Sequence, residues 1–300
     1  MSDSAAQAVA TAAATATATT WQGLPAIALQ LPGGDSALIA LQGAQVLSWL
    51  AGGQQRLFLS PGAAHDGHTP IRGGIPVCFP QFNQRGPLVK HGFARSMAWS
   101  ADAQNAKVLA DGAMELVLTL QDSEATRAVW PHAFEAQLCV QLRPAALTVQ
   151  LRVHNLGRQA LPFTAALHSY LQMPLPVEQM QLQGLDGLQF WDAVADTHPV
   201  QQGPLGFGVE TDRVYPCPPQ TLQLRSTAGA PWLEIGQDAD WSETVVWNPG
   251  PDLCAQLADM EPEGYRQMLC VEAAAIDAPV VLAPGQRWQA AQYLRADPAR

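Results

Sequence analysis

Residues 70–96 read PIRGGIPVCFPQFNQRGPLVKHGFARS and gather Arg72, Arg85, Lys90, His91 and Arg95 among paired glycines and stiff prolines. A guanidinium presents parallel N–H donors that match two oxygens of a phosphate or carboxylate. Gly73 and Gly74 let the main chain turn sharply or approach a ligand closely, and Pro76 and Pro80 stiffen the stretch after them. The chemistry on offer is capture of a small anion, with Arg72 and Arg95 flanking the segment and His91 four residues before Arg95. The competing reading is ordinary: surface arginines paired with surface carboxylates. The background is sparse. The chain of 300 residues has two lysines, Lys90 and Lys107, and fourteen arginines, so 16 basic groups face 26 acidic ones and the net charge is -10.

Two further residues have the chemistry to move protons. His168 lies in the apolar run FTAALHSYL and Glu272 in MLCVEAAAI. Imidazole titrates near neutral pH and serves as a general acid or base. A lone histidine among alanines and leucines is nonetheless more often a hydrogen-bonded core residue. A carboxylate among apolar neighbours is costly unless paired or working, and desolvation raises its pKa toward that of a usable base. The bland alternative for Glu272 is a sheet-edge position facing water. Asp192, behind Trp191, and Asp212, beside Arg213 and Tyr215, set carboxylates next to aromatic rings. That combination suits sugars, whose C–H faces stack on rings while their hydroxyls bond to carboxylates. Taken singly, each is better explained as a turn aspartate beside a core aromatic. Trp247 and Asn248, in VVWNPG, allow the same two readings, a site at a strand end or an N-P turn.

Other combinations carry less. The HDGH of residues 65–68 has no third ligand nearby and reads as a solvated loop. GPLGFG near residue 205 lacks the lysine and helix of a nucleotide loop, and no GxSxG elbow occurs. His132 and His154 read as structural or exposed.

The acidic balance argues against nucleic acid or anionic membrane as partner, because both need a broad basic face. Any anionic ligand is therefore small and held locally. The five cysteines, Cys78, Cys139, Cys217, Cys254 and Cys270, form no CxxC pair and no Cys/His metal spacing. They predict free thiols in a reducing cytoplasm, with neither a disulfide scaffold nor a zinc site. No apolar run approaches a membrane span. The opening MSDSAAQAVATAAATATATT has no basic start and no apolar block. It predicts a disordered Ala/Thr-rich tail over residues 1–22 rather than a signal peptide, with a frayed helix as the lesser alternative.

The elements that must position these groups are strands. Met114, Leu116, Leu118 and Leu120 fall on one face at period two, as do Leu138, Val140 and Leu142, and Leu147, Val149, Leu151 and Val153, the last set with Gln150, Arg152 and His154 opposite. Pro-Gly, Asp-Gly and Arg-Pro signals separate the runs. No long apolar stripe of period 3.6 appears, although residues 251–260 can hold one or two helical turns. The prediction is an all-β, large, mostly antiparallel β-sandwich over residues 23–300, a single domain with long ordered loops at 61–87 and 199–220.

In order along the chain, RGGIP, HGFAR, LHSY, GLDG followed by WD, TDRVY, VVWNP and YRQMLCVE resemble the D-hexose-6-phosphate mutarotases, the glucose-6-phosphate 1-epimerase branch of the aldose 1-epimerase-like family. The resemblance spans about residues 25 to 295. It implies a galactose mutarotase-like supersandwich whose cleft exchanges the α and β anomers of a hexose 6-phosphate, with no metal or cofactor. It implies Glu272 as general base and His168 as general acid. It further implies Arg72 and Arg95 as phosphate ligands, His91 as an aid to substrate binding, and Asp212 as a ligand of sugar hydroxyls. It assigns no role to Arg85, Lys90 or Asp192. Family resemblance leans to a monomer. Two rival readings remain at this point: an aldose 1-epimerase for unphosphorylated sugars, and a non-catalytic sugar-phosphate binding protein on the same fold.

Overall fold

A computed structural model describes residues 13–218 and 220–296. One sheet of five strands comprises Thr15–Trp21 (β1), Leu24–Gln30 (β2), Ser36–Ala40 (β3), Val46–Ala51 (β4) and Gln54–Gln55 (β5), each antiparallel to the next. The next strands are Val77–Cys78 (β6), Lys107–Val108 (β7), Met114–Gln121 (β8), Phe134–Arg143 (β9), Ala146–Asn155 (β10), Leu161–Leu167 (β11) and Tyr170–Gln172 (β12). Beyond them come Met180–Gln183 (β13), Trp191–Asp192 (β14), Leu205–Gly206 (β15), Thr211–Pro216 (β16), Leu222–Ser226 (β17), Pro231–Gln237 (β18), Glu243–Asn248 (β19), Met268–Leu282 (β20) and Arg287–Ala296 (β21). Nine strands form a sheet in the order β15-β13-β17-β18-β21-β10-β9-β8-β7. Seven belong to another, in the order β14-β16-β19-β20-β11-β6 with β12 also paired to β20. A short helix, Gly250–Cys254, supplies the predicted turns near residue 251.

The alternating runs do what their period requires. Met114, Leu116, Leu118 and Leu120 on β8, and Leu147, Val149, Leu151 and Val153 on β10, are buried, while their neighbours are partly exposed. They join Leu269, Val271 and Ala273 of β20 in one core, so the nine- and seven-stranded sheets pack face to face. Strand β20 behaves differently. Its first nine residues, Met268 to Ile276, are buried on both faces. One face enters the main core, and on the other Ala274 and Ile276 pack with Cys78, Phe82, Val214 and Val245. A strand covered on both sides has no polar face to alternate with, hence the unbroken apolar run around Glu272.

The first strand corrects the expectation of disorder for part of the tail. Thr15 to Trp21 pair with β2 from Gln30 to Leu24, closed by a two-residue turn at Gln22 and Gly23 with φ of 49° and 86°. Both values are positive, as in the mirror-image turns that match the twist of a hairpin. The strand is mostly exposed, so it lacks the apolar alternation that marks a core strand. Its threonines are β-branched and favour extended backbone. The expectation for residues 1–12 lies outside the described residues. No helix among the described residues is long and apolar enough to cross a membrane.

Candidate active site

Register across the seven-stranded sheet builds the site. Leu167 pairs with Ala273 and Tyr170 with Cys270, so His168, in the break between β11 and β12, falls opposite Glu272. On the other side of β20, Glu272 pairs with Val245 of β19, which pairs with Val214 of β16. The neighbouring row reads Tyr170, Cys270, Trp247, Asp212. Residues two apart on a strand share a face, so Asp212, Trp247, Glu272, His168 and Tyr170 converge. Together with Arg72, Lys90, His91, Arg95 and Glu210 they line a cavity of about 260 Å³.

The centre of the cavity is a contact between acid and base. His168 Nε2 lies 3.3 Å from Glu272 Oε1, as cross-strand neighbours can. Glu272 is 1% exposed on an interior strand, which disposes of the sheet-edge reading. Burial pushes its pKa well above the usual carboxylate value, and the charge of Asp212 adds to this. Burial pushes His168 well below its ordinary value, with the Arg95 and Arg72 guanidiniums acting in the same sense. Both shifts favour neutral forms, so the pair holds one proton between two atoms. Glu272 Oε2 and His168 Nδ1 find no hydrogen-bond partner among the described residues. The His168 ring is fixed instead by its main chain, whose N–H donates to Pro76 O at 3.0 Å, and by stacking on Tyr170 at 4.8 Å between centroids.

The cationic end comes from residues 70–96. Arg72 donates from Nε to Asp259 Oδ2 at 3.0 Å and from an η nitrogen to the Tyr170 hydroxyl at 3.1 Å. Its segment requires both glycines that come next. Gly73 and Gly74 have φ of 117° and 60°, and a Cβ at either would collide with main chain, Phe58 O or Val46 O. Arg95 donates to Lys90 O at 2.8 Å, which ties it to the loop that carries Lys90, while its buried Nε lacks a partner among the described residues. Lys90 is exposed and makes no ion pair among the described residues. His91 Nδ1 accepts from Asn83 N–H at 3.2 Å and lies 3.3 Å from Cys78 Sγ, leaving Nε2 to carry the proton. Burial, with Arg95 and Lys90 adding to it, lowers its pKa to about 3. Asp212 is shifted the other way, upward, by burial and by Glu210.

All six residues singled out in the sequence, Arg72, His91, Arg95, His168, Asp212 and Glu272, therefore reach one cavity. Asp192 does not. It pairs with Arg213 at 3.4 Å and accepts from the Val194 and Ala195 amides, as a turn aspartate does. Asn248 is likewise structural, bonded to Tyr265 O and Met268 O at 2.8 Å each. Sequence reasoning passed over Tyr170, Glu210 and Asp259, and gave Lys90 no role; the Tyr of LHSY carried a usable signal. A larger cavity of about 470 Å³ holds Arg85, Trp191, Glu243 and Asp277. Arg85 there pairs with Asp277 and covers the Trp191 ring, Asp196 accepts from Trp191 Nε1 at 3.0 Å, and Glu243 accepts from Ile276 N–H at 2.7 Å. No acid–base pair among the described residues faces it.

Similarity to known proteins agrees with this geometry. A protein of Cenchrus ciliaris, provisionally named glucose-6-phosphate 1-epimerase, is 33% identical over 288 residues, 93% of this chain and 87% of its own length. An Escherichia coli K12 protein with the same provisional name is 34% identical over 244 residues, 79% of each chain. The crystal structure of a Salmonella typhimurium protein described provisionally as a mutarotase superimposes with a TM-score of 0.83 at 29% identity, covering 94% of both chains. A galactose mutarotase-like protein from Clostridium acetobutylicum shares the fold at 14% identity, with a TM-score of 0.75 over 95% of this chain and 99% of its own. Residues 25–295 match the family described as aldose 1-epimerase, and the chain belongs to that family.

Proposed function

We propose that this protein interconverts the α and β anomers of hexose 6-phosphates, chiefly glucose 6-phosphate, by general acid–base ring opening and closing. The observation that carries the reading is the buried His168–Glu272 contact in the same cavity as Arg72, Lys90 and Arg95. Anomer exchange needs one group to take the C1 hydroxyl proton and another to give a proton to the ring oxygen. The single proton of the pair crosses from carboxyl to imidazole over 3.3 Å, leaving a carboxylate and an imidazolium. Glu272 then accepts the C1 hydroxyl proton as His168 protonates the ring oxygen, and the C1–O5 bond breaks. Rotation about C1–C2 turns the other aldehyde face to the C5 hydroxyl. Closure runs the transfers backwards and restores the pair.

Three cations in a cavity of a chain with net charge -10 support an anionic substrate. Arg72 is pre-oriented by Asp259 and Tyr170, and Arg95 offers a buried donor without a partner among the described residues. Such charge-assisted contacts suit a phosphoryl dianion. Asp212 accepts from sugar hydroxyls. His91, neutral and donating from Nε2, adds a bond to substrate. The names of the relatives point to the same substrate. On this reading the protein acts as a monomer, a cytoplasmic enzyme of carbohydrate metabolism.

Exchange NMR on equilibrated glucose 6-phosphate and glucose tests the reading. Acceleration is expected for the phosphate and far less for glucose. Equal acceleration of both sugars overturns the phosphate assignment, and none for either overturns the enzyme.

A further inference from the structure

The row of the sheet beside the His168–Glu272 pair places Cys270 between Tyr170 and Trp247. Cys270 precedes Glu272 by two residues on β20, so both side chains point to the same face. A ring nitrogen of His168, Cys270 Sγ and a carboxylate oxygen of Glu272 all lie within 4.8 Å of one another, and all three residues are buried. Among the described residues no other such group of three metal-ligating side chains occurs. Spacing in the sequence gave no sign of it, because His168 reaches the group only through strand pairing.

We infer that His168, Cys270 and Glu272 form an inhibitory site for a zinc-class divalent cation, one that shuts the enzyme by occupying its proton-transfer atoms. One imidazole, one thiolate and one carboxylate are a donor set suited to zinc, and three protein ligands leave the fourth tetrahedral position open. Two tetrahedral ligands at zinc–nitrogen and zinc–oxygen bond lengths stand about 3.3 Å apart. The His168–Glu272 separation is 3.3 Å. The sulfur must come within about 3.5 Å of both other donors, starting from within 4.8 Å.

Charge favours the complex. The thiol proton and the one proton of the acid–base pair leave to solvent, and three metal–ligand bonds replace the broken S–H and O–H bonds. A dication with one thiolate, one carboxylate and a neutral imidazole has no net charge, which limits the cost of burying it. Arg72, Arg95 and Lys90 line the cavity that His168 and Glu272 reach and repel an entering cation, while Glu210 and Asp212 attract it. The thiolate and imidazole select zinc and cadmium over magnesium and calcium, which prefer oxygen.

Inhibition, as distinct from binding, rests on the proposed anomerase activity, so the two are read separately. Cadmium titration of the full chain is followed by sulfur-to-metal charge-transfer absorbance, and zinc by anomer exchange. One metal per chain with a thiolate band is expected, with zinc inhibition reversed by chelator and no inhibition by magnesium. Cys270→Ala is expected to lose the band and to need at least tenfold more zinc for half-inhibition, with its metal-free rate within twofold of wild type. Zinc K-edge absorption on wild type supplies a readout that needs no variant, with one sulfur at about 2.3 Å and the remaining ligands nitrogen or oxygen. Absence of the band in wild type, a shell without sulfur, or unchanged metal affinity in Cys270→Ala overturns the site. Metal binding with this ligand set in a protein that accelerates no anomer exchange leaves the site standing and removes the proposed function.

Discussion

His168 and Glu272 stand opposite each other across β20 and the break between β11 and β12, with Nε2 and Oε1 3.3 Å apart. Among the described residues each is the other's close polar side-chain contact in a buried place. His168→Gln keeps much of the volume and removes the titrating atom. Proton-transfer groups contribute roughly a hundred- to ten-thousandfold, so kcat is expected to fall within that range while KM for glucose 6-phosphate stays near wild type. Stopped polarimetry on freshly dissolved α-glucose 6-phosphate reads the rate; a loss below tenfold removes His168 from proton transfer.

Asp259 lies far along the chain from Arg72 yet holds its Nε at 3.0 Å. If Arg72 holds the phosphate, Asp259 bears on the substrate only through that arginine. Asp259→Asn keeps the shape and drops the charge, so the guanidinium loses orientation rather than existence. The expected result is a KM for glucose 6-phosphate raised severalfold to tenfold with kcat retained, a factor equivalent to about 1–1.4 kcal/mol. Glucose exchange should be unaffected. A fall in kcat with KM unchanged contradicts a positioning role.

His91 links the site to pH. Burial, then Arg95 and Lys90, hold its pKa at about 3, against about 6.5 unfolded. Between those values the unfolded chain binds a proton that the folded chain does not, so stability drops as pH falls through the window, at up to about 1.4 kcal/mol per pH unit. Glu272 has the opposite sign: its raised pKa makes its contribution fade as pH rises above the unfolded value. His91→Gln removes only the first effect. Urea unfolding in mildly acid buffer and at neutral pH is expected to show the variant gaining on wild type as pH falls. Parallel pH profiles contradict the buried neutral imidazole.

Gly74 carries a prediction about the scaffold. Its φ of 60° and the approach of Val46 O leave no room for a Cβ. Gly74→Ala is expected to lose at least about 1–2 kcal/mol from the left-handed backbone alone, and more from displacing β4. Urea denaturation measures it. A variant as stable as wild type contradicts the close approach.

The sequence disclosed the sandwich where one side of a strand meets the core and the other meets water, as on β8 and β10. It was silent on register within β20, where both faces are buried and alternation vanishes. The strand β1 escaped notice because it is mostly exposed and lacks apolar alternation, although its threonines favour extended backbone. Glu272 was legible through cost, a carboxylate in an apolar run, and the two arginines through scarcity in an acidic chain. Asp259 was not, because its value lies in touching Arg72 across the fold, whereas Tyr170 stood in the LHSY motif and was passed over. Asp192 shows the reverse: a recognisable motif whose carboxylate caps a turn.

If Glu272 takes the anomeric proton in a cavity whose arginines hold the phosphate, removing that base should stop exchange without releasing the sugar. Glu272→Gln keeps the shape and the hydrogen-bonding capacity and deletes the base, so exchange NMR and calorimetry on the same protein separate the two effects. Catalysed exchange is expected to fall at least about a hundredfold, with glucose 6-phosphate bound within threefold of the wild-type Kd. Exchange at the wild-type rate contradicts the assignment of Glu272 as the base.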